Sequence, residues 1–124
     1  MEFVALETLD KQIASGNGSA IAFKDHQSRI SYAQLNDSVC GLASGLRNLG
    51  ISKTDHVLIR LPNCIEFIVS FLALVKIGAL PVLQNSLLGA SEVAYVQQHS
   101  DAVAAITLHD IAEPIRALTG LLSL

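Results

Sequence analysis

The sequence predicts an α/β fold: a parallel, doubly wound sheet with helices on both faces and a small hairpin near the N-terminus. Three observations carry this expectation. Short runs rich in β-branched or apolar residues at 56–61, Leu80–Leu83 and Ala102–Thr107 alternate with stretches of helical spacing. The stretch 64–77 is apolar on nearly every side, as a helix buried against a sheet should be. The chain is also 51% hydrophobic and only 15% charged, against about 25% charged in an average soluble domain.

That hydrophobic excess has two explanations. An α/β core covers its central strands on both sides. Alternatively, part of this surface is meant to be covered by more protein, in a longer chain or an oligomer. At 124 residues the chain suits one domain, and no linker, repeat or charge run divides it. A net charge of −3 supplies no basic footprint, so nucleic-acid binding is not expected. Acidic residues at Glu2, Glu7 and Asp10, with no basic n-region, argue against a secretory signal. The longest apolar run, 65–75, is interrupted by Glu66 and falls short of the ~20 residues that span a bilayer. Cys40 and Cys64 fall in helical patterns without metal spacing and read as buried thiols, which suits a reducing cytoplasm.

Taken in order, apolar residues at Phe3, Val4, Leu6, Leu9 and Ile13 predict a first helix, stopped at Gly16-Asn17-Gly18. Residues 20–23 and 29–31, separated by a polar turn, predict an antiparallel hairpin. Ser31-Tyr32-Ala33-Gln34 is a capping box. It opens a helix expected to bury Leu35, Val39, Leu42, Ala43, Leu46 and Leu49, with Gly50 as the left-handed residue after its last turn. Gly41 and Gly45, four apart, suggest close helix packing. Asn63 is expected to cap the next helix, with Glu66 completing the box. Gly78 ends that helix, and Pro81 falls near the start of the following strand, where a missing N–H is tolerated. Ser91 caps a helix to about Gln98, and 110–118 patterns as one more, interrupted near Pro114. Strand, helix, strand, helix, strand in this order implies right-handed crossovers onto one parallel sheet.

In a doubly wound sheet, ligands bind beyond the carboxyl ends of the strands. Those ends are Pro62-Asn63, Gln84-Asn85-Ser86 and the stretch from Thr107 to His109. Asn85 and Ser86 are the candidate substrate-binding residues, although turn chemistry accounts for them equally well. His26, His56, His99 and His109 form no metal or catalytic spacing. There is no Gly-x-Ser-x-Gly elbow, no Cys-x-x-Cys and no nucleotide-phosphate loop. The missing phosphate loop also counts against a small flavodoxin-like nucleotide binder. No catalytic residue and no metal ligand is assigned.

The ordered set of motifs nevertheless carries a resemblance. Ile30-Ser31-Tyr32-Ala33-Gln34-Leu35 is followed by Gly45-Leu46-Arg47-Asn48-Leu49-Gly50, by Asp55-His56-Val57-Leu58-Ile59 and by Leu61-Pro62-Asn63. The stretch from Phe71 to Ala79, then Pro81-Val82 and Asn85-Ser86-Leu87-Leu88, complete it. Over about residues 18 to 108 this resembles the N-terminal region of the adenylate-forming enzymes. These are the acyl- and aryl-CoA synthetases, the adenylation domains of non-ribosomal peptide synthetases and the luciferases. Asn85 to Leu88 followed by Ser91-Glu92 resembles the benzoate-CoA-ligase type.

The resemblance implies a partial N-terminal subdomain of the adenylate-forming fold. For a full-length enzyme it implies a ligase in which a carboxylic acid attacks ATP to give an acyl-adenylate, and a thiol such as coenzyme A then takes the acyl group. ATP, Mg²⁺ and CoA are the implied cofactors of that larger enzyme. The family's phosphate-binding loop, Mg²⁺ element, ribose-binding Asp and C-terminal Lys have no match here. The expectation is therefore a cytoplasmic N-terminal piece that is inactive alone and binds no cofactor by itself. The alternative is a non-catalytic α/β binding or interaction module that kept the fold and covers its exposed apolar surface by forming a homo-oligomer.

Overall fold

The computed structural model describes residues 4–25, 28–62, 64–83, 101–107 and 122–123. Its framework is a parallel sheet in the strand order β4-β3-β5-β6, with a separate antiparallel hairpin, β1-β2. The sheet strands are β3 (His56–Arg60), β4 (Leu80–Leu83), β5 (Ala102–Thr107) and β6 (Leu122–Ser123), and each adjacent pair is parallel. The predicted class and all three predicted strands are therefore present. β6, a two-residue strand parallel to β5, has no counterpart among the predicted elements. The helices expected at 91–98 and 110–118 lie outside the described residues.

Side chains alternate across β3 as a pleated strand requires. Val57 and Ile59 join the core under the helices, whereas Leu58 and Arg60 point to the opposite face. Both faces exclude water: Leu58 is 0% and Arg60 3% exposed. A register shift between His56 and Val57 sets Val103 as an extra residue on β5. β4 is an edge strand among the described residues, and it carries Pro81. Leu80 donates its N–H to Asp55 O at 2.7 Å, so the backbone groups of Leu80 turn towards β3 and those of Pro81 turn away. The missing proline N–H is thus placed on the outer side, where no ladder bond is lost.

Among the described residues, three helices are layered on one face, with α3 next to the sheet. α1 (Val4–Ala14) stops at Gly16, whose φ is +85°. α2 (Tyr32–Asn48) opens on the predicted capping box. Ser31 Oγ accepts from Gln34 N–H at 3.1 Å, and Gln34 Oε1 accepts from Ser31 N–H at 3.0 Å. α3 (Ile65–Ile77) packs on β3 and β4, α2 packs on α3, and α1 contacts both helices.

Four expectations need correction. Leu49 is 54% exposed rather than buried, while Ile51 is 5% exposed. The cause is the turn that ends α2: Gly50 N–H bonds Arg47 O, and Ile51 N–H bonds Leu46 O. This Schellman arrangement lays Ile51 back on the helix and leaves Leu49 outside it. Among the described residues, Gly41 and Gly45 mediate no close packing, because a Cβ on either would meet none of them within 4 Å. The N-cap of α3 is Cys64, which makes no side-chain cap bond, so the Asn63–Glu66 box is out of register by one residue; Asn63 itself lies outside the described residues. Cys64 is therefore not within a helix, and both cysteines are only half-buried.

Helix α3 also departs from all-round burial. Its second half, from Ser70, is largely buried, but Ile65, Phe67, Ile68, Val69 and Phe71 are half-buried. The first two turns pack on the margin of the core and line the two cavities that they share with Phe23 of the hairpin. There β1 (Ile21–Lys24) and β2 (Arg29–Ser31) are too short to cover them fully.

Candidate functional site

The strand order places the candidate site. From β3 the chain passes to β4 on one side and then returns to β5 on the other. With β6 beyond β5, the strand order reverses between β3 and β5, and the crevice beyond the carboxyl ends at such a point is where open α/β sheets bind ligands.

Arg60 and Thr107 are register partners at this point. The Thr107 hydroxyl donates to Arg60 O at 3.0 Å, tying the two strand ends together. Arg60 is 3% exposed, and burial pushes its guanidinium pKa below the ordinary arginine value. The described part of the crevice therefore ends in a buried cation and a hydroxyl engaged in holding the sheet. That arrangement can fix geometry and shape the local field; it offers no general base or nucleophile.

The candidate substrate residues Asn85 and Ser86 lie outside the described residues, as do Asn63, His26, His99 and His109. His56 is the first residue of β3, at the amino end of the strand and so at the edge away from the crevice. Among the described residues no group of three or more His, Cys, Asp or Glu could hold a metal ion. No described helix is long and apolar enough to cross a membrane.

A second concave region lies at the other side of α3. A cavity of about 330 Å³ is bounded by Leu9 of α1, Phe23 of β1, Tyr32 and Leu35 of α2, and Ile68, Phe71 and Leu72 of α3. Its lining is apolar apart from the Tyr32 hydroxyl, so it can accommodate an apolar group and supports no acid–base chemistry. A smaller cavity of about 250 Å³ adjoins it and shares Phe23 and Ile68. Cys64 and Asp25 are on its wall. Burial pushes the Cys64 thiol above the ordinary thiol range, and the Glu66 carboxylate adds to this, against backbone hydrogen bonds from Phe67 and Glu66. Cys64 is thus held as a thiol, the opposite of an activated nucleophile.

Sequence reasoning missed Asp25 and Arg60. Asp25 Oδ2 accepts the N–H of Ile65 at 3.1 Å, so the cap of α3 comes from the hairpin, 40 residues away. Its only sequence signal is an acidic residue in a turn; Arg60 could have been noticed as a lone charge in an otherwise apolar strand.

A family model described as AMP-binding enzyme matches residues 10–122. The chain is 31% identical over 96 residues to the 4-hydroxybenzoate–CoA/benzoate–CoA ligase of Rhodopseudomonas palustris, covering 77% of this chain and 18% of that protein. Its structure matches a benzoate CoA ligase from Burkholderia xenovorans with a TM-score of 0.88 at 22% identity, over 99% of this chain and 25% of that one. At that identity the likeness concerns the fold. It also matches the N-terminal domain of FACL13 from Mycobacterium tuberculosis with a TM-score of 0.78 at 28% identity, over 94% of this chain and 33% of that one. The chain therefore spans under a fifth of the length of the Rhodopseudomonas palustris ligase.

Proposed function

The chain belongs to the AMP-binding enzyme family, and we propose that it forms the N-terminal α/β scaffold of an ATP-dependent ligase that joins a carboxylic acid to a thiol through an acyl-adenylate. The observation that carries this reading is the family match across residues 10–122. The similarity to the 4-hydroxybenzoate–CoA/benzoate–CoA ligase of Rhodopseudomonas palustris favours an aryl acid as substrate.

The described residues do not fit the groups such a reaction uses. They offer no carboxylate cluster for Mg²⁺. The glycines with positive φ, Gly16, Gly50 and Gly78, follow helices rather than opening one as a phosphate loop would. No step through ATP or CoA is assigned to these residues. Their part is structural: β3, β5 and α3 form a rigid wall whose carboxyl edge, at Arg60 and Thr107, faces the position where a sheet of this type receives its ligand. Asn85 and Ser86 follow β4 in sequence and are proposed to contribute contacts to the acid at that edge.

A graft tests the proposal. This chain is substituted for the aligned segment of the Rhodopseudomonas palustris ligase, and acid-dependent ATP–pyrophosphate exchange is measured. The expected outcome is exchange by the graft and none by the 124-residue chain alone. A graft that melts cooperatively yet shows no exchange would overturn the scaffold reading. Exchange by the chain alone would overturn the assignment of the chemistry to residues beyond it.

A further inference from the structure

The Asp25 carboxylate joins two regions. Oδ1 accepts the N–H of Ser28 at 2.8 Å and closes the turn of the hairpin. Oδ2 accepts the N–H of Ile65, the first residue of α3, at 3.1 Å. A helix N-terminus leaves N–H groups without intrahelical partners and carries partial positive charge, so an anion there is favoured. Cys64, the residue in the N-cap position, makes no side-chain cap bond. Asp25 supplies from a distance an acceptor that Cys64 does not.

Among the described residues, the hairpin that carries Asp25 is only partly covered. Ile21 and Phe23 of β1 are 48% and 43% exposed. Its buried residues, Ile30 and Ser31, are at the β2 end next to α2. That base is fastened by backbone bonds from Tyr32 N–H to Ala20 O and from Ala33 N–H to Gly18 O. Few buried contacts and exposed backbone bonds are the marks of an element that opens locally, at lower free energy than the whole domain. Beneath the hairpin lie both cavities, walled on one side by Phe23 and on the other by α3.

We propose that the β1–β2 hairpin is a strap, latched to the N-terminus of α3 by Asp25, which opens about its base as a unit separate from the sheet and uncovers Cys64 and the apolar first turns of α3. The latch is a charge-assisted bond across two elements, so its loss acts on the open–closed equilibrium rather than on the core. The larger cavity is apolar apart from Tyr32, and the smaller one is bordered by the latch residue itself together with Lys24 and Cys64, so the device is defined by the strap.

The thiols report it directly. Cys64 lines the cavity under the strap, whereas Cys40 lies on α2 and serves as an internal reference. The full chain is treated with iodoacetamide, alkylation at each cysteine is followed by mass spectrometry, and amide exchange is followed in β3. In Asp25→Ala, Cys64 alkylation should rise about ten-fold or more, the scale of losing a hydrogen bond to a charged group, while Cys40 and the Val57–Ile59 amides keep their wild-type rates. Asp25→Asn, which retains a neutral acceptor, should fall between the two. The proposal is overturned if Cys64 alkylation does not change in Asp25→Ala. It is equally overturned if Cys40 and the β3 amides accelerate in step with Cys64, since the residue would then support only the global fold.

Discussion

The centre of the sheet and the hairpin are built from similar apolar residues, yet they differ in how they are held. In β3, Val57, Leu58 and Ile59 are all 0% exposed, with parallel partners on both sides. In β1, Ile21 and Phe23 are nearly half exposed and pair with one short strand. The difference teaches that residue type sets how much apolar surface there is to bury, while layering decides how much is buried. A strand between two layers is covered on both faces; a two-stranded hairpin over a helix is covered on one.

Three substitutions put that contrast under strain. The largest effect belongs to the core. Leu74→Ala in α3, where the side chain is 0% exposed, should lower the unfolding free energy by about 3 kcal/mol, the usual scale for a buried leucine. Urea unfolding followed by circular dichroism measures it, and a loss below that of the other two variants would mean the helix repacks without a cavity. Next comes the junction. Ser31→Ala removes the side-chain half of the capping box where β2 passes into α2, and should cost about 1 kcal/mol in the same assay. The smallest belongs to the hairpin. Phe23→Ala removes a larger side chain than Leu74→Ala does, but one already 43% exposed. Its cost should stay below about 1 kcal/mol, scaled from full burial of an apolar side chain. Equal losses for Phe23→Ala and Leu74→Ala would show that hairpin and sheet form one cooperative unit, and would remove the basis for a separately opening strap.

The same division explains which expectations held. The start, the main buried positions and the end of α2 were legible, although Leu49 and the Gly41–Gly45 pair were misread. The capping box at Ser31 and Gln34, the buried positions Leu35, Val39, Ala43 and Leu46 and the left-handed Gly50 all depend on neighbours within one helical turn. The site was far less legible. Thr107 could be placed at a strand end, but its bond to the carbonyl of Arg60 spans 47 residues. Asn85 and Ser86 remain where sequence order puts them, after β4.

By itself, then, the sequence determined the hairpin, α1 to α3, β3 to β5, their parallel sheet and the family whose motifs they carry, because periodicity, caps and glycine stops act between residues close along the chain. Tertiary structure alone decided three things. The carboxylate of Asp25, 40 residues away, reaches the start of α3. Among the described residues, nothing packs closely on Gly41 or Gly45. The first turns of α3 lie against a cavity and not in the core. Each of these depends on which distant surfaces meet, and no local spacing encodes that.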